Sequence, residues 1–97
     1  MKWNKFGMKL SEIIFIDSLP TLDLHGIDRD YAIIKVNDFV KDNYVMKNKN
    51  IVIVHGIGTG IIRHTVHETL HKNNYVLDYQ IFAGNVGCTI VELKSKD

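Results

Sequence analysis

The chain has 97 residues, of which 45% are hydrophobic and 24% are charged. This length and composition predict one globular domain with a single core, and they argue against a disordered chain. The formal net charge is +1, so the charge balance neither predicts nor excludes a nucleic-acid partner, and any basic surface must be local.

The cysteine content and the apolar runs bear on the cellular compartment. Cys88 is the only cysteine of the sequence, which excludes an intramolecular disulfide and fits a reducing cytoplasm. The longest apolar run near the N-terminus, residues 13–16, is too short for a membrane span or for the core of a signal peptide. We therefore expect a cytoplasmic protein without a membrane partner.

Residues 1–19 form the first of two predicted parts. They mix lysines with scattered apolar residues and show no regular period, which is typical of an arm that docks on the domain or on a partner. The arm is also a candidate contact for a weak homodimer of an otherwise monomeric protein. Pro20 then favours an extended entry into the domain itself, residues 20–97.

The first strand is predicted over residues 21–25, where Leu22 and Leu24 alternate with polar residues. A helix then begins after Asp28, whose side chain suits an N-cap, and it ends near Tyr44. Its core-facing stripe follows helical spacing and consists of Ala32, Ile33, Val36, Phe39, Val40 and Tyr44.

The second strand and helix follow the same order. Residues 51–54 are four consecutive β-branched residues, which is typical of a strand buried on both faces of a parallel sheet. The second helix is predicted from about Gly60 to Asn73. Its core stripe consists of Ile62, Val66 and Leu70.

Two more strands close the chain. Residues 76–82 alternate, with Leu77, Tyr79 and Ile81 predicted on one face. Residues 83–87 form a glycine-containing turn, and a final strand covers residues 88–93.

The predicted element order is therefore β-α-β-α-β-β. Right-handed crossovers place both helices against one sheet. We predict an α/β two-layer sandwich whose four-stranded sheet is mixed and mostly parallel, with an antiparallel last strand and two helices.

A glycine-rich turn follows the second strand. Residues 55–60 read HGIGTG and lead into the second helix, an arrangement that aims backbone N–H groups and a helix N-terminus at an anion. An earlier His-Gly pair ends the first strand in the same way. If the two strands are parallel neighbours, His25 and His55 lie at one edge of the sheet, where Asp23 is able to orient an imidazole. The combination predicts a phosphate site with acid–base groups.

These segments resemble the motifs of the Smr (small MutS-related) domain family. Residues 22–26 read LDLHG and resemble its first motif. Residues 55–60, with Arg63 three positions further on, resemble its HGxGxG segment and trailing arginine. Residues 84–93 read GNVGCTIVEL and resemble its closing GGxGATxVxL.

The closing segment departs from the family pattern at two positions. Asn85 stands where a second glycine is usual, and Cys88 stands where alanine is usual. Both lie at the last turn, so they bear on substrate fit more than on fold.

The resemblance implies a fold similar to the C-terminal domain of translation initiation factor three. It also implies binding of DNA or RNA, with nicking or endonuclease activity in several relatives, and ribosome association as a further option. The catalytic candidates that it carries over are Asp23, His25 and His55. The candidates for phosphate binding are Gly56, Gly58, Gly60 and Arg63, joined by the loop amides of Ile57 and Thr59.

A mechanism follows from these groups as a hypothesis. The loop amides and Arg63 hold a scissile phosphate. One of His25 and His55 takes a proton from water or a ribose hydroxyl, and the other protonates the leaving oxygen. Asp23 either fixes a tautomer or holds a divalent metal ion such as Mg²⁺, and the sequence leaves both roles open.

A competing pattern lies on the second helix. Residues 67–71 read HETLH and fit the zinc-hydrolase pattern H-E-x-x-H. The residue after the glutamate is polar where an apolar one is usual, and no histidine follows His71 as a third ligand. The simpler interpretation is that His64, His67, Glu68 and His71 form a solvated flank of the helix.

Binding without catalysis is the stronger alternative to an endonuclease. Basic residues are able to track phosphates while the glycine-rich turn contacts the nucleic-acid backbone; they are Lys47, Lys49, Arg63, Lys72 and the lysines of the N-terminal arm. Candidate groups for stacking on bases are Trp3, Phe6 and Tyr31. The alternative function is therefore a non-catalytic DNA-, RNA- or ribosome-binding module.

Overall fold

The structure is a computed structural model that describes residues 16–96. Most of the predicted arm, with Trp3 and Phe6, lies outside these residues. A single 3₁₀ turn at Ile16–Ser18 precedes the main elements. They are β1 (Thr21–Asp23), α1 (Arg29–Val45), β2 (Asn50–Val54), α2 (Ile61–Lys72), β3 (Val76–Phe82) and β4 (Asn85–Leu93). The predicted order β-α-β-α-β-β is confirmed.

The four strands form one mixed sheet in the order β1-β2-β4-β3. β1 is parallel to β2, with Thr21 opposite Val52, and β4 is antiparallel to both β2 and β3. Three strands thus point one way, and the last strand points the other way, as predicted. Because β4 lies inside the sheet, both of its faces are covered and residues 87–93 are all buried, the polar Thr89 and Glu92 included.

Helix α1 begins where its sequence predicts. The Asp28 carboxylate accepts a hydrogen bond from the Tyr31 N–H at 2.8 Å, which satisfies one of the free donors of the first turn. Ala32, Val36 and Val40 recur every four residues and are fully buried. Ile33, predicted in the same stripe, is instead 38% exposed, because it lies one residue away from the buried line.

Both helices cover one face of the sheet, where the main core lies. Val66 and Leu70 of α2 are buried in this core, and Ile62 packs against its margin. Complete burial of such side chains contributes roughly 1.5–3 kcal/mol each. The buried members of the core are Leu24, Ala32, Val36, Val40, Ile51, Ile53, Val66, Leu70, Val91 and Leu93. No helix in residues 16–96 is long and apolar enough to span a membrane.

The hairpin of β3 and β4 is less regular than its sequence predicts. The pairing shifts between Val76 and Asp78, so Leu77, predicted to share a face with Tyr79, is 39% exposed while Val76 and Tyr79 pack against the core. The alternation predicted at Leu77 is therefore wrong. A bulge breaks the simple period of two, and the sequence gives no sign of it.

A second irregularity in the hairpin shapes the site. Ile81 pairs with Thr89, but the next residue, Phe82, pairs with Asn85, so residues 86–88 bulge from β4. The Gly87 carbonyl in this bulge accepts hydrogen bonds from the N–H groups of residues 55 and 56, at 2.9 and 3.0 Å. The bulge thus holds residues 55 and 56, at the start of the glycine-rich turn.

Candidate functional site

The turns that follow β1 and β2 lie at the same edge of the sheet. Asp23 is paired with Val54, and the Leu24 N–H donates to the Val54 carbonyl at 2.9 Å, so the strands stay together to their carboxyl ends. His55 follows β2 directly, and His25 follows β1 after Leu24, because the strand predicted over residues 21–25 ends at Asp23. The structure therefore brings the two predicted His-Gly turns together, as expected for parallel neighbours.

The first turn presents an exposed imidazole. The Asp23 carboxylate accepts a hydrogen bond from the backbone N–H of His25 at 2.8 Å. This is an Asx turn, which fixes the backbone and leaves the His25 side chain exposed. The role predicted for Asp23 in orienting an imidazole stays a prediction, because the contact in the structure is to the main chain.

The second turn, residues 56–59, is open, and we call it the glycine loop. Gly56 and Gly58 have positive φ angles of 79° and 34°, and a Cβ at either position would meet nothing within 4 Å. The loop backbone is therefore accessible to a ligand. Gly60, at φ 85°, caps α2 without a side-chain hydrogen bond, so the first N–H groups of α2 face this loop. Such a concavity favours an anion.

Arg63 places a positive charge beside the glycine loop. Its half-buried side chain folds back over the start of α2, where a Cβ at Gly60 would come within 2.9 Å of the Arg63 Nη2. The positive φ angle favours glycine at residue 60, and a larger residue there would displace the guanidinium. The predicted trailing arginine lies at the site.

His55 is buried beneath the glycine loop and is only 9% exposed. Its Nδ1 is 2.8 Å from the Gly56 carbonyl oxygen, and its Nε2 is 2.8 Å from the Thr89 hydroxyl. The same hydroxyl is 2.8 Å from Nε2 of His67 on α2. Both ring nitrogens of His55 therefore have partners inside the protein, which separates its environment from that of His25.

Burial lowers the pKa of both imidazoles. For His55, loss of solvent is the largest cause, the Gly56 carbonyl opposes it, and the charge of Arg63 adds to the lowering of the pKa. For His67, burial is again the largest cause. Positive charge on His55, Arg63 and His64 lowers the His67 pKa further. Both rings are therefore neutral at neutral pH.

Comparison with known proteins identifies the family. The family described as "Smr domain" matches residues 22–94. The chain belongs to the Smr domain family. It is similar to the protein named endonuclease MutS2 of Clostridium acetobutylicum, with 34% identity over 76% of this chain, and to that of Halothermothrix orenii, with 38% identity over 78%. The chain spans 10% of the length of each of these relatives.

Solved structures show the same Smr fold. The Smr domain of Thermus thermophilus MutS2 matches with a TM-score of 0.76 and 24% identity, over 78% of this chain and 99% of that domain. YdaL of Escherichia coli, a stand-alone small MutS-related protein, matches with a TM-score of 0.73 and 23% identity, over 77% of this chain and 64% of YdaL. At this identity the two matches confirm the predicted fold alone.

The zinc-hydrolase pattern on α2 does not form a site in this Smr domain. His67 points inward to Thr89, whereas His71 is exposed at the end of the helix. Among residues 16–96, no group of three or more His, Cys, Asp or Glu side chains is placed to hold a metal ion. His64 and Glu68 are exposed and 4.0 Å apart. The solvated flank predicted for this helix is therefore wrong for His67, which is partly buried.

The predicted basic track is divided between two ends of the Smr domain. Lys47 and Lys49 precede β2, and Lys72 closes α2, so all three lie away from the glycine loop. The Lys49 ammonium contacts the Ser95 hydroxyl. The lysines of the arm lie outside the described residues, and within residues 16–96 only Arg63 of the predicted set lies beside the loop.

The two departures from the Smr motif lie behind the glycine loop. The Asn85 carboxamide oxygen accepts a hydrogen bond from the Gly87 N–H at 3.0 Å, which supports the bulge that holds the loop. Cys88 is buried in the sheet, and burial, with the nearby charge of Asp23, raises the pKa of its thiol. The effect of the two departures on substrate fit stays a prediction.

Two residues of the site, Thr89 and His67, were not among the predicted site residues. Thr89 is a fully buried hydroxyl in an apolar strand, which is a signal for a polar partner. His67 lies one helical turn after Arg63 and therefore shares its face of α2. Neither signal identifies the contact between them, because it joins distant parts of the chain.

We expect the free energy of unfolding of this Smr domain to fall as the pH is lowered below about 6.5, the ordinary value for histidine. In the folded domain, the pKa values of His55 and His67 lie below this value. As the pH falls, the unfolded chain therefore binds more protons than the folded domain. Each histidine adds a slope of at most about 1.4 kcal/mol per pH unit, which disappears below its folded pKa. Urea denaturation at several pH values measures this slope.

The His67→Gln variant should lose the His67 share of the slope, because glutamine does not titrate. His71→Gln, at an exposed position on the same helix, is the matched control and should keep the contributions of His55 and His67 to the slope. Equal slopes in both variants would show that the buried pair does not determine the pH dependence.

Proposed function

We propose that this Smr domain binds the sugar–phosphate backbone of DNA or RNA at the glycine loop and cleaves a phosphodiester bond there. One observation carries the proposal. The open loop with Arg63 and the exposed His25 lie together where the paired strands β1 and β2 end. The relatives named endonuclease MutS2 support it. A cytoplasmic location and a target on free nucleic acid or on the ribosome belong to the same proposal.

In the proposed complex, a non-bridging phosphate oxygen accepts hydrogen bonds from the N–H groups of the glycine loop and of the first turn of α2. The partial positive charge of the helix N-terminus adds to this attraction. Arg63 binds a second oxygen through its guanidinium, since a planar fork of donors matches the phosphate geometry. These contacts neutralise charge where the pentacoordinate transition state develops it.

We assign proton transfer at this site to His25. Its imidazole is exposed beside the loop, whereas both ring nitrogens of His55 are engaged inside the protein. His25 takes the proton of the attacking hydroxyl, which belongs to water or to the ribose 2′ position. Water at the open edge supplies the proton to the leaving oxygen. His55, predicted from sequence as a second acid–base group, is assigned a structural part.

The second candidate function is a binding module without catalysis. The burial of His55 favours it. The mechanism predicted from sequence needs two imidazoles that reach the substrate, and this edge of the sheet exposes one, His25. Residues 16–96 also lack a cluster of three metal-ligating side chains, so we derive no step through a metal ion. Binding at the glycine loop is common to both candidates.

The test is a survey with the purified protein on supercoiled plasmid, branched DNA, duplex RNA and single-stranded RNA, each with Mg²⁺ and with EDTA. We expect cleavage of at least one substrate. If the ribose 2′-hydroxyl is the nucleophile, RNA that lacks this hydroxyl should not be cleaved. Binding to these substrates without any turnover would favour the module, and absence of both would overturn the proposal.

Two variants of Asp23 separate its turn from its charge. Asp23→Ala removes the acceptor of the His25 N–H and should lower cleavage about tenfold to a hundredfold, since one charged hydrogen bond contributes roughly 1.5–3 kcal/mol. Asp23→Asn keeps the acceptor oxygen and should retain most activity. If Asp23→Asn is as inactive as Asp23→Ala, the carboxylate charge acts on the imidazole or on a metal ion, as first predicted from sequence.

A further inference from the structure

Three side chains from distant parts of the chain meet under the glycine loop, and the proposed cleavage uses none of them directly. They are His55, Thr89 and His67, joined by contacts of 2.8 Å at the Thr89 hydroxyl. We propose that Thr89 and His67 are positioning residues, which hold His55 so that it fixes the Gly56–Ile57 peptide with its N–H toward the bound phosphate. The effect on phosphate binding rests on the proposed function.

The direction of each hydrogen bond follows from the chemistry of the partners. A backbone carbonyl only accepts, so the Nδ1 of His55 carries the hydrogen that bonds the Gly56 oxygen. In the neutral ring, Nε2 then accepts the Thr89 hydroxyl hydrogen. A hydroxyl has a single hydrogen, so its oxygen accepts from Nε2–H of His67. The chain of donors runs from His67 through Thr89 to His55.

The alternative direction requires a charged His55. In that case Nε2–H of His55 donates to Thr89, and the hydroxyl donates to His67. Burial and the positive charge of Arg63 both oppose a charge on His55. The burial of the site thus agrees with the neutral arrangement, in which every polar atom of the three contacts is satisfied.

The first link of this chain determines the shape of the loop. Peptide bonds in residues 16–96 are trans, so the carbonyl of Gly56 and the N–H of Ile57 point in opposite directions. Because His55 holds the carbonyl inward, the Ile57 N–H points outward, on the side where the loop is open. The Gly87 carbonyl, which accepts from the N–H groups of His55 and Gly56, prevents the preceding peptides from turning.

The place of Thr89 in the sheet explains why a hydroxyl reaches His55. Thr89 is paired with Ile53, whose side chain lies in the core beneath the helices, so Thr89 faces the helices as well. His55 is two residues after Ile53 and therefore has the same orientation. Valine has nearly the shape of threonine and suits a strand, so Thr89→Val removes the hydroxyl without opening a cavity.

The first experiment requires no nucleic acid. Two-dimensional ¹H–¹⁵N NMR of the imidazole rings reports which nitrogen carries the hydrogen. In the wild-type protein at neutral pH, we expect a hydrogen on Nδ1 of His55 and on Nε2 of His67. The opposite tautomer of either ring would overturn the proposal, and this result does not depend on whether the protein cleaves or binds a substrate.

The second experiment measures the loop itself in Thr89→Val and Thr89→Ser. The serine variant keeps the hydroxyl and should preserve both tautomers and the backbone amide signal of Ile57. The valine variant should shift that amide signal and weaken binding of a single-stranded DNA oligonucleotide roughly twofold to tenfold, the usual effect of one hydrogen bond. An unmoved Ile57 signal in Thr89→Val would overturn the proposal.

A matched pair at His67 gives an independent readout. Glutamine places an amide N–H near the position of the histidine Nε2–H, so His67→Gln should keep the hydrogen bond to Thr89 and wild-type affinity. His67→Leu has no donor and should resemble Thr89→Val. If leucine and glutamine behave alike, His67 only fills space. One outcome separates the two proposals. If the wild-type protein shows the expected tautomers but does not bind the oligonucleotide, the proposed function fails, whereas the hydrogen-bonded chain of His67, Thr89 and His55 is supported.

Discussion

Replacing His25 by alanine is expected to lower the rate of phosphodiester cleavage about a hundredfold to ten-thousandfold, the usual contribution of a positioned acid–base group. The affinity for the uncleaved nucleic acid should change little. His25 is exposed beside the glycine loop and is held by its backbone, so its side chain supports no packing that the variant would lose. Single-turnover cleavage with enzyme in excess measures the chemical step separately from binding.

His71→Ala is the matched control for this experiment. His71 is also exposed, but it lies in the last turn of α2, at the opposite end of the helix from the loop. The His71→Ala variant should therefore cleave at the wild-type rate. A His25→Ala protein that cleaves normally would remove His25 from the mechanism, and rates lowered equally in both variants would indicate a general electrostatic effect of histidine charge.

The local parts of this structure could be predicted because their causes lie close together in the sequence. The Asp28 cap of α1 and the burial of Ala32, Val36 and Val40 follow from residues within a few helical turns. The open glycine loop follows likewise from residues that tolerate a positive φ angle. The meeting of the two His-Gly turns needed one further step, the parallel pairing of β1 and β2.

The buried half of the site could not be predicted in this way. The contact between His55 and Thr89 spans 34 residues, and the contact between His67 and Thr89 spans 22. Both depend on β4 pairing with β2 inside the sheet and on the bulge beside Gly87, which no local pattern encodes. The sequence alone therefore predicts His55 as an acid–base group and His67 as part of a solvated flank, because neither contact is visible in it.

The contrast between His25 and His55 shows how one repeated dipeptide acquires two environments. Each His-Gly pair ends a strand, yet β1 is an edge strand and β2 is an interior strand of the sheet. His25, two residues after the edge strand, stays exposed, whereas β4 and α2 cover His55, which directly follows the interior strand. The register differs as well, because Asp23 pairs with Val54 and Leu24, not His25, is therefore level with His55. Position in the sheet and register, rather than the motif, decide which imidazole meets the solvent and which supports the loop.

Replacing Arg63 by alanine is expected to weaken binding of a DNA or RNA oligonucleotide about tenfold to a hundredfold, since a hydrogen bond to a charged group contributes roughly 1.5–3 kcal/mol. The slope of log affinity against log salt should also fall by about 1, because one fewer phosphate charge is neutralised. Arg63→Lys keeps the charge but loses the fork of donors, so it should preserve the salt slope and recover only part of the affinity. Titrations at several salt concentrations measure both quantities.

Lys72→Ala removes the same charge from the other end of α2. The helix has 12 residues and is therefore about 18 Å long, which exceeds the screening length of about 8 Å at physiological salt. A phosphate held at the glycine loop should not sense Lys72, and this variant should bind almost as the wild type does. If Arg63→Ala and Lys72→Ala lose affinity equally, nucleic acid is attracted by diffuse charge and not by a site at the loop. A loss confined to Arg63 would place the phosphate where the guanidinium folds over Gly60, beside the exposed imidazole of His25.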